Sequence, residues 1–326
     1  MKISIASAAA LLMLVLLLLP AIVEPFHLTV LSLIFLFAYC GHAWNIMMGF
    51  AGQLSLGHAL YFGVGGYIVA VLAERYGVSP WLGAVPAFLT CALLGATIAA
   101  VGFRFTVRGV YFALLTIAFA ELIRVLFEHW EFVGKTGGFF LRAVGEANNP
   151  MGSLRGGPSF TYYGSLVLMG ASWLVSWLLL ESRYGYFWRA VRDDEDAARA
   201  LGVPAFRMKV SAVALSAGMT GVGGAWFGLI NGSLFPETML GMRMSIDLIL
   251  APIVGGLGTL FGPVIGAFIV VPLNELAKDL SQHWQISGLN LLIYGLLLIG
   301  VVVLAPEGVW PRLVRLLGRR FRGKTP

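Results

Sequence analysis

The sequence predicts an all-α polytopic membrane protein with about 8 full transmembrane helices plus one broken, re-entrant helical pair. Three observations carry that expectation. Of 326 residues, 59% are hydrophobic and only 12% charged, whereas an average soluble domain is about 25% charged. The chain holds 41 glycines, a composition that suits close packing of apolar helices through small residues. Apolar runs of spanning length recur from end to end, a crossing helix needing about 20 such residues. This balance excludes an ordinary cytosolic enzyme, a disordered chain and a nucleic-acid binder; the surroundings are membrane lipid. The net charge of +6 reads as loops retained on the cytoplasmic side.

Full spans are predicted at 3–23, 28–50, 54–73, 81–103, 109–127, 161–180, 209–231 and 286–305. The first follows Lys2 and could imitate a signal peptide, but no small-x-small cleavage site precedes Glu24, and Pro20 and Pro25 flank its exit. It is read as a retained helix. Cys40 and Cys91 sit alone in apolar runs and read as small buried hydrophobes, with no metal-ligand cluster.

Charge then orients the spans. Arg183, Arg189, Arg192, Arg199, Arg207 and Lys209 crowd one loop, Arg312, Arg315, Arg319, Arg320, Arg322 and Lys324 crowd the tail, and Arg104 and Arg108 mark a shorter loop. Placing all three in the cytoplasm puts both termini inside and the charge-balanced segment 128–160 outside. Parity constrains the stretch 245–277: an even number of crossings must separate the two large clusters, so it crosses twice or not at all. Its middle is interrupted by Pro252, Gly255, Gly256, Gly258, Gly262 and Pro263. Two short helices around a glycine-rich break satisfy both facts, and broken backbone at membrane depth points toward a translocation pathway. Asp247 is expected to cap the first of these helices.

Stripes of small residues at fourfold spacing are expected to pack helices closely: Ala51, Ser55, Ala59 and Gly63; Thr220, Gly224, Gly228 and Gly232; Gly258, Gly262 and Gly266. Catalytic patterns are missing. Gly134-Lys135-Thr136 imitates the end of a phosphate loop, but His129 stands where glycine is required, and Phe261 breaks the dinucleotide pattern begun at Gly256-Leu257-Gly258.

The loop 182–208 is expected to hold a short charged helix, through Arg189, Arg192, Asp193, Glu195, Asp196, Ala197 and Ala198, stopped at Gly202-Val203-Pro204. A charged helix between two spans is placed to dock on a cytoplasmic partner. Its Asp196-Ala197-Ala198-x-x-x-Gly202 pattern resembles the loop by which permeases of bacterial ABC importers contact their ATPases. Asn45-Ile46-Met47-Met48-Gly49-Phe50-Ala51-Gly52-Gln53-Leu54-Ser55-Leu56-Gly57-His58-Ala59 resembles a stretch of branched-chain amino-acid ABC permeases. So do Arg108-Gly109-Val110-Tyr111-Phe112, Ala120-Glu121-Leu122-Ile123-Arg124, Gly255-Gly256-Leu257-Gly258-Thr259-Leu260-Phe261-Gly262-Pro263 and Ala305-Pro306-Glu307-Gly308. From about residue 40 to 310 the chain is similar to the LivM-type permease subunits of that family. One departure is visible: the family's Thr-Gly-Gly-Pro/Ser loop reads Thr136-Gly137-Gly138-Phe139-Phe140 here, and a longer insert, 141–160, follows.

The resemblance implies one permease domain over 1–326 in a bacterial inner membrane, with the docking loop at 182–208 and a basic cytoplasmic tail at 311–326. It implies a second homologous permease, two cytoplasmic ATPases and a periplasmic substrate-binding protein as partners. ATP and magnesium would sit on the ATPases, leaving this chain without cofactor, metal or catalytic residue. The substrate would be a branched-chain or related amino acid, with urea or a small amide as alternatives. An ion-coupled transporter would need several intramembrane carboxylates or an inverted repeat, and neither is evident. Within the spans, polar residues are costly and tend to face the bundle interior. Asn45, Gln53, Ser55 and His58 cluster at one glycine-rich turn, where they either satisfy a helix break or line a pathway; pathway lining is the preferred expectation. Glu121 and Arg124, three apart on one helical face, read as a structural ion pair.

Overall fold

A computed structural model describes residues 15–141, 157–284 and 288–322. Most of the first predicted span, the middle of the 141–160 insert and the end of the basic tail lie outside them. The helices are α1 (Pro25–Asn45), α2 (Ala59–Tyr76), α3 (Pro80–Arg104), α4 (Val110–His129), α5 (Pro158–Glu181), α6 (Arg183–Asp193), α7 (Glu195–Ala200), α8 (Ala205–Asn231), α9 (Pro236–Leu240), α10 (Met242–Gly255), α11 (Gly262–Trp284), α12 (Leu289–Leu304) and α13 (Val309–Arg322). Proline opens α1, α3, α5 and α9, at helix starts where its missing N–H leaves no internal bond unmade.

Six stretches among the described residues are long and apolar enough to cross a membrane: Pro25–Phe50, Pro80–Arg104, Val110–His129, Pro158–Glu181, Ala205–Asn231 and Pro236–Gly255. Two further predicted spans are helical but not among those six. α2 starts at Ala59 rather than 54 and carries Glu74 and Arg75 near its end. α12 has 16 residues, about 24 Å at 1.5 Å per residue, short for a hydrocarbon core of about 30 Å.

The central helix is α8, 72% buried along its most apolar stretch, against 17% for the peripheral α5. Small residues set it there. At Gly224, a Cβ would stand 1.8 Å from the Phe62 carbonyl oxygen of α2, so no larger residue fits that crossing. The predicted stripe Ala51–Gly63 is only half helical, because residues 51–57 leave the helix; Ala59 and Gly63 alone share a face.

The predicted break is present, between Gly255 and Gly262, and α10 and α11 form a hairpin around it. Gly266 lies so close to α10 that a Cβ would come within 1.7 Å of the Ala251 oxygen. The limbs are longer than 245–277, because α10 begins at Met242 and α11 continues through the Glu275–Lys278 ion pair to Trp284. Asp247 therefore sits in the second turn of α10. It does not cap the helix as expected; Gly241 occupies that position.

Contacts sort the connections onto two ends of the bundle. At one end, Arg192 of α6 reaches Gly49, Arg108 faces Glu195, and Gly308 packs on Gly256 of the hairpin tip. At the other, Arg75 donates to the Phe132 carbonyl, Tyr162 and Tyr163 donate to Leu16 and Leu17, and strand β1 (Phe139–Phe140) pairs antiparallel with β2 (Ser233–Leu234). The 182–208 loop and the start of the C-terminal helix thus share one end, the arrangement the parity of the basic clusters requires.

Candidate functional site: a charged loop joined to a helix break

The charged loop 182–208 begins at Ser182, and α6 buries Gly185, Trp188 and Val191 while exposing its charged face. Trp188 Nε1 donates to the Met208 carbonyl at 2.9 Å, fixing α6 to the start of α8. The single predicted helix is in fact two. Asp194 is extended, and its carboxylate accepts the backbone N–H groups of Asp196 and Ala197 at 3.0 and 2.9 Å. That is an N-cap, satisfying donors that a helix start leaves free. The chain closes at Gly202, with φ +86° in the left-handed region that favours glycine.

Glu195 is the hub of this loop. It pairs with Lys209 at 2.9 Å and with Arg199, and faces Arg108 at 3.8 Å. Burial by itself would raise the Glu195 carboxyl. The Lys209 hydrogen bond and the charges of Lys209, Arg199 and Arg108 outweigh it and hold the group below its ordinary value. The result fastens α7 to the root of α8 and to the 105–109 loop. Ala198 is buried beneath α7, while Ala197, Asp196 and Gly202 are exposed. So is Leu201, at 86%, a large apolar side chain on the outer surface of the loop.

Arg189 is spent within the loop, donating to the Gly185 and Leu180 carbonyls. Arg192 reaches outward from it: Nη1 donates to the Gly49 carbonyl at 2.7 Å, while Nε and Nη2 hold Asp193. Gly49 belongs to a π-turn, Ile46–Phe50, that ends α1, a geometry found mostly as single turns near functional positions. A Cβ at Gly49 would collide with Asn45 and with the Gly258 nitrogen, and one at Gly52 with Arg192. The three elements meet too closely for any side chain between them.

Asn45 completes the junction. Its Nδ2 donates to the Thr259 carbonyl at 3.0 Å and its Oδ1 accepts the Gly258 N–H at 2.8 Å. The break of residues 51–58 is equally well satisfied. Ser55 Oγ and Ser216 Oγ lie 3.1 and 2.9 Å from the two His58 ring nitrogens, Trp44 donates to the Ser55 carbonyl, and Ser245 accepts the Ala59 N–H. Asn45, Ser55 and His58 are buried; Gln53 is half-buried and donates to the Ala51 carbonyl. The structure thus brings residues of the 182–208 loop, the four polar residues of the break and the glycines of the hairpin tip into one continuous unit. Glu121 and Arg124 are elsewhere on α4, closed into an intrahelical cluster with Glu128.

Sequence reasoning missed Lys209, Asp194, Leu201 and Ser216 as members of this unit. Asp194 had a readable signal, an acid just before a short alanine-rich helix. Lys209 and Ser216 had none, because their partners lie 14 and 158 residues away.

A helical membrane bundle whose glycine-tipped hairpin is hydrogen-bonded to the end of α1, itself held by an arginine of a charged loop, is the body of a membrane permease. The chain belongs to the family described as branched-chain amino acid transport system / permease component, whose profile matches residues 26–303. It is 28% identical over 92% of its length to the high-affinity branched-chain amino acid transport system permease protein LivM of Escherichia coli (strain K12), covering 75% of that protein. A probable branched-chain amino acid transport permease protein LivH of Methanocaldococcus jannaschii is 25% identical, with 78% of this chain and 83% of that one aligned. The autoinducer 2 import system permease protein LsrC of Salmonella typhi is 30% identical over 40% of this chain and 38% of its own. No solved structure matches.

Proposed function

We propose that this chain is the permease subunit of a bacterial ABC importer for branched-chain or related amino acids, lying in the inner membrane and powered by separate ATPases. The observation that carries the reading is the run of contacts from α7 through Glu195 and Lys209 to the start of α8, through Trp188 to α6, and from Arg192 of α6 to Gly49, next to Asn45 and the hairpin tip. A push on Ala197 and Leu201 from outside the membrane would reach the hairpin without crossing a soft segment. The family and the long LivM alignment support the substrate class.

Two cytoplasmic ATPases would seat on 182–208 and hold ATP and magnesium; this chain would bind no nucleotide or metal. A second homologous permease would form the other half of the pathway, and a periplasmic binding protein would load it. The end of the bundle that gathers Arg108, Arg183, Arg192, Arg199 and Arg207 would face the cytoplasm, with both termini. The hairpin would then cross twice, giving eight further crossings around it. Gln53, half-buried at the break, is the pathway candidate, whereas Asn45, Ser55 and His58 would hold the joint that positions it.

The test is uptake of radiolabelled leucine into liposomes holding the co-purified complex. ATP-dependent accumulation, lost when this chain is reconstituted alone, is the expected result. Uptake by the isolated chain driven by an ion gradient would overturn the reading.

A further inference from the structure

Away from the docking end, five helices enclose a cavity of about 310 Å³. It lies between α1, α8, α10, α11 and α12, and its lining divides into two parts. One part is apolar: Leu33, Phe37, Met244, Val270 and Val271. The other is charged: Arg243 and Asp247 from α10, Glu275 and Lys278 from α11. Two cations and two anions leave that wall with no net charge, which suits neither a simple anion nor a simple cation.

Lys278 Nζ lies 2.6 Å from Glu275, and Arg243 and Asp247 stand four residues apart on α10. A second observation is independent of the charges. Tyr294 of α12 also lines the cavity; its side chain is 8% exposed, and its hydroxyl is buried with no hydrogen-bond partner. A buried hydroxyl left unpaired costs free energy, and Tyr294 stands in the cavity wall, where a guest would supply the missing partner.

We infer that this cavity is a binding site for a zwitterionic amino acid, with Arg243, Lys278 and the Tyr294 hydroxyl receiving its carboxylate. Asp247 and Glu275 take the ammonium, and the Leu33–Phe37 and Val270–Val271 wall takes an aliphatic side chain. Opposite charges from α10 and α11 beside an apolar wall match the two ends of such a molecule, the Lys278–Glu275 pair opening to receive them, and the volume admits one copy with its polar contacts. The site rests on the reading of the chain as an amino-acid permease and adds to it a place within this subunit where the substrate pauses.

The experiment uses the complete transporter in liposomes, carrying Asn274→Cys in this chain. Asn274 lines the cavity, whereas the native Cys40 and Cys91 are buried in the core. The rate of thiol alkylation is measured with leucine, with 4-methylpentanoate (no ammonium) or with 3-methylbutylamine (no carboxylate). Leucine should slow alkylation about fivefold or more without ATP, and neither half-molecule should do so. Adding Tyr294→Phe should raise the leucine concentration for half-protection about tenfold, the effect of one lost hydrogen bond to a charged group. Alkylation unaffected by leucine, or slowed equally by the two half-molecules, would overturn the site. Unchanged half-protection in the Tyr294→Phe background would remove the hydroxyl from it. Absence of ATP-driven uptake in the same liposomes would count against the import reading instead, since protection is read without ATP.

Discussion

The two ends of the α10–α11 hairpin are built on opposite plans. At the tip, the Gly258 N–H and the Thr259 carbonyl are both taken by Asn45, and Thr259 Oγ1 closes the turn onto Gly256. At the open end, Asp247, Asn274, Glu275 and Lys278 surround empty space, and the Tyr294 hydroxyl has no partner. One end is tied across the fold through Asn45; the other holds the Tyr294 hydroxyl without a partner beside the Glu275–Lys278 pair. A hairpin that moved as one body would transmit through the first end and bind at the second. The contrast teaches that hydrogen-bond satisfaction separates a joint from a site more sharply than the mere presence of polar residues in a span.

The strongest way to break that contrast is to separate the limbs. Gly266→Val should prevent closure of the hairpin, because even a Cβ meets the Ala251 oxygen at 1.7 Å; assembled complex should be nearly absent in size-exclusion profiles. Asn45→Ala removes both bonds to the tip and strands two buried backbone groups, a loss of about 2–4 kcal/mol. The complex should melt several degrees lower while ligand protection at the open end persists.

Glu195→Ala should come next, at about 3 kcal/mol, because it leaves Lys209 buried without its partner. ATP hydrolysis should continue while uptake per ATP falls. The pH dependence has a definite sign. The Glu195 carboxyl is lowered in the folded protein, so its contribution is complete above the ordinary glutamate value, about 4.3. It is lost as pH falls through the lower folded value. Hydrogen-exchange protection over 195–202, taken relative to the intrinsic exchange rate at each pH, should therefore be unchanged from pH 8 to 6 and fall only in acid.

Gly202→Asp forces a side chain into a left-handed conformation at an exposed position with open space around it. The strain is about 1 kcal/mol, so insertion should be normal and the effect confined to ATPase coupling; unchanged coupling would separate Gly202 from docking. The smallest effect on assembly is expected from Gln53→Leu, which removes a bond to Ala51 only. Its uptake normalised to assembled complex should fall if the break lines the pathway, and normal normalised uptake would defeat that role.

Much of this was legible in the residues because its causes are local. Pro252 and the glycines from Gly255 to Gly262 cannot continue a helix, so the hairpin break could be placed; charge at 183–209 fixed which loops share an end. Boundaries set by partners across the fold were not legible. Asp247 reads as a cap if its helix starts there, but Gly241 starts the helix, about four turns before the break. Ala51 and Ser55 fit a helical stripe by spacing alone, yet the hydrogen bonds of Ser55 with His58 and Trp44 draw that stretch out of the helix. The cavity was invisible because its five helices converge from residues 33 to 294.

The short ladder between β1 and β2 has a consequence for how this chain can vary. Leu141 N–H donates to the Gly232 carbonyl at 3.0 Å, so antiparallel alternation makes Phe139 and Leu234 the next hydrogen-bonded pair in the register. Recognition there runs from main chain to main chain and is blind to side-chain identity, with one exception: a proline has no N–H to give. Residue 139 is where the family pattern would admit proline, and phenylalanine stands there instead. The substitution that looks like the chain's plainest divergence from its kin is therefore one that keeps a rung in the ladder.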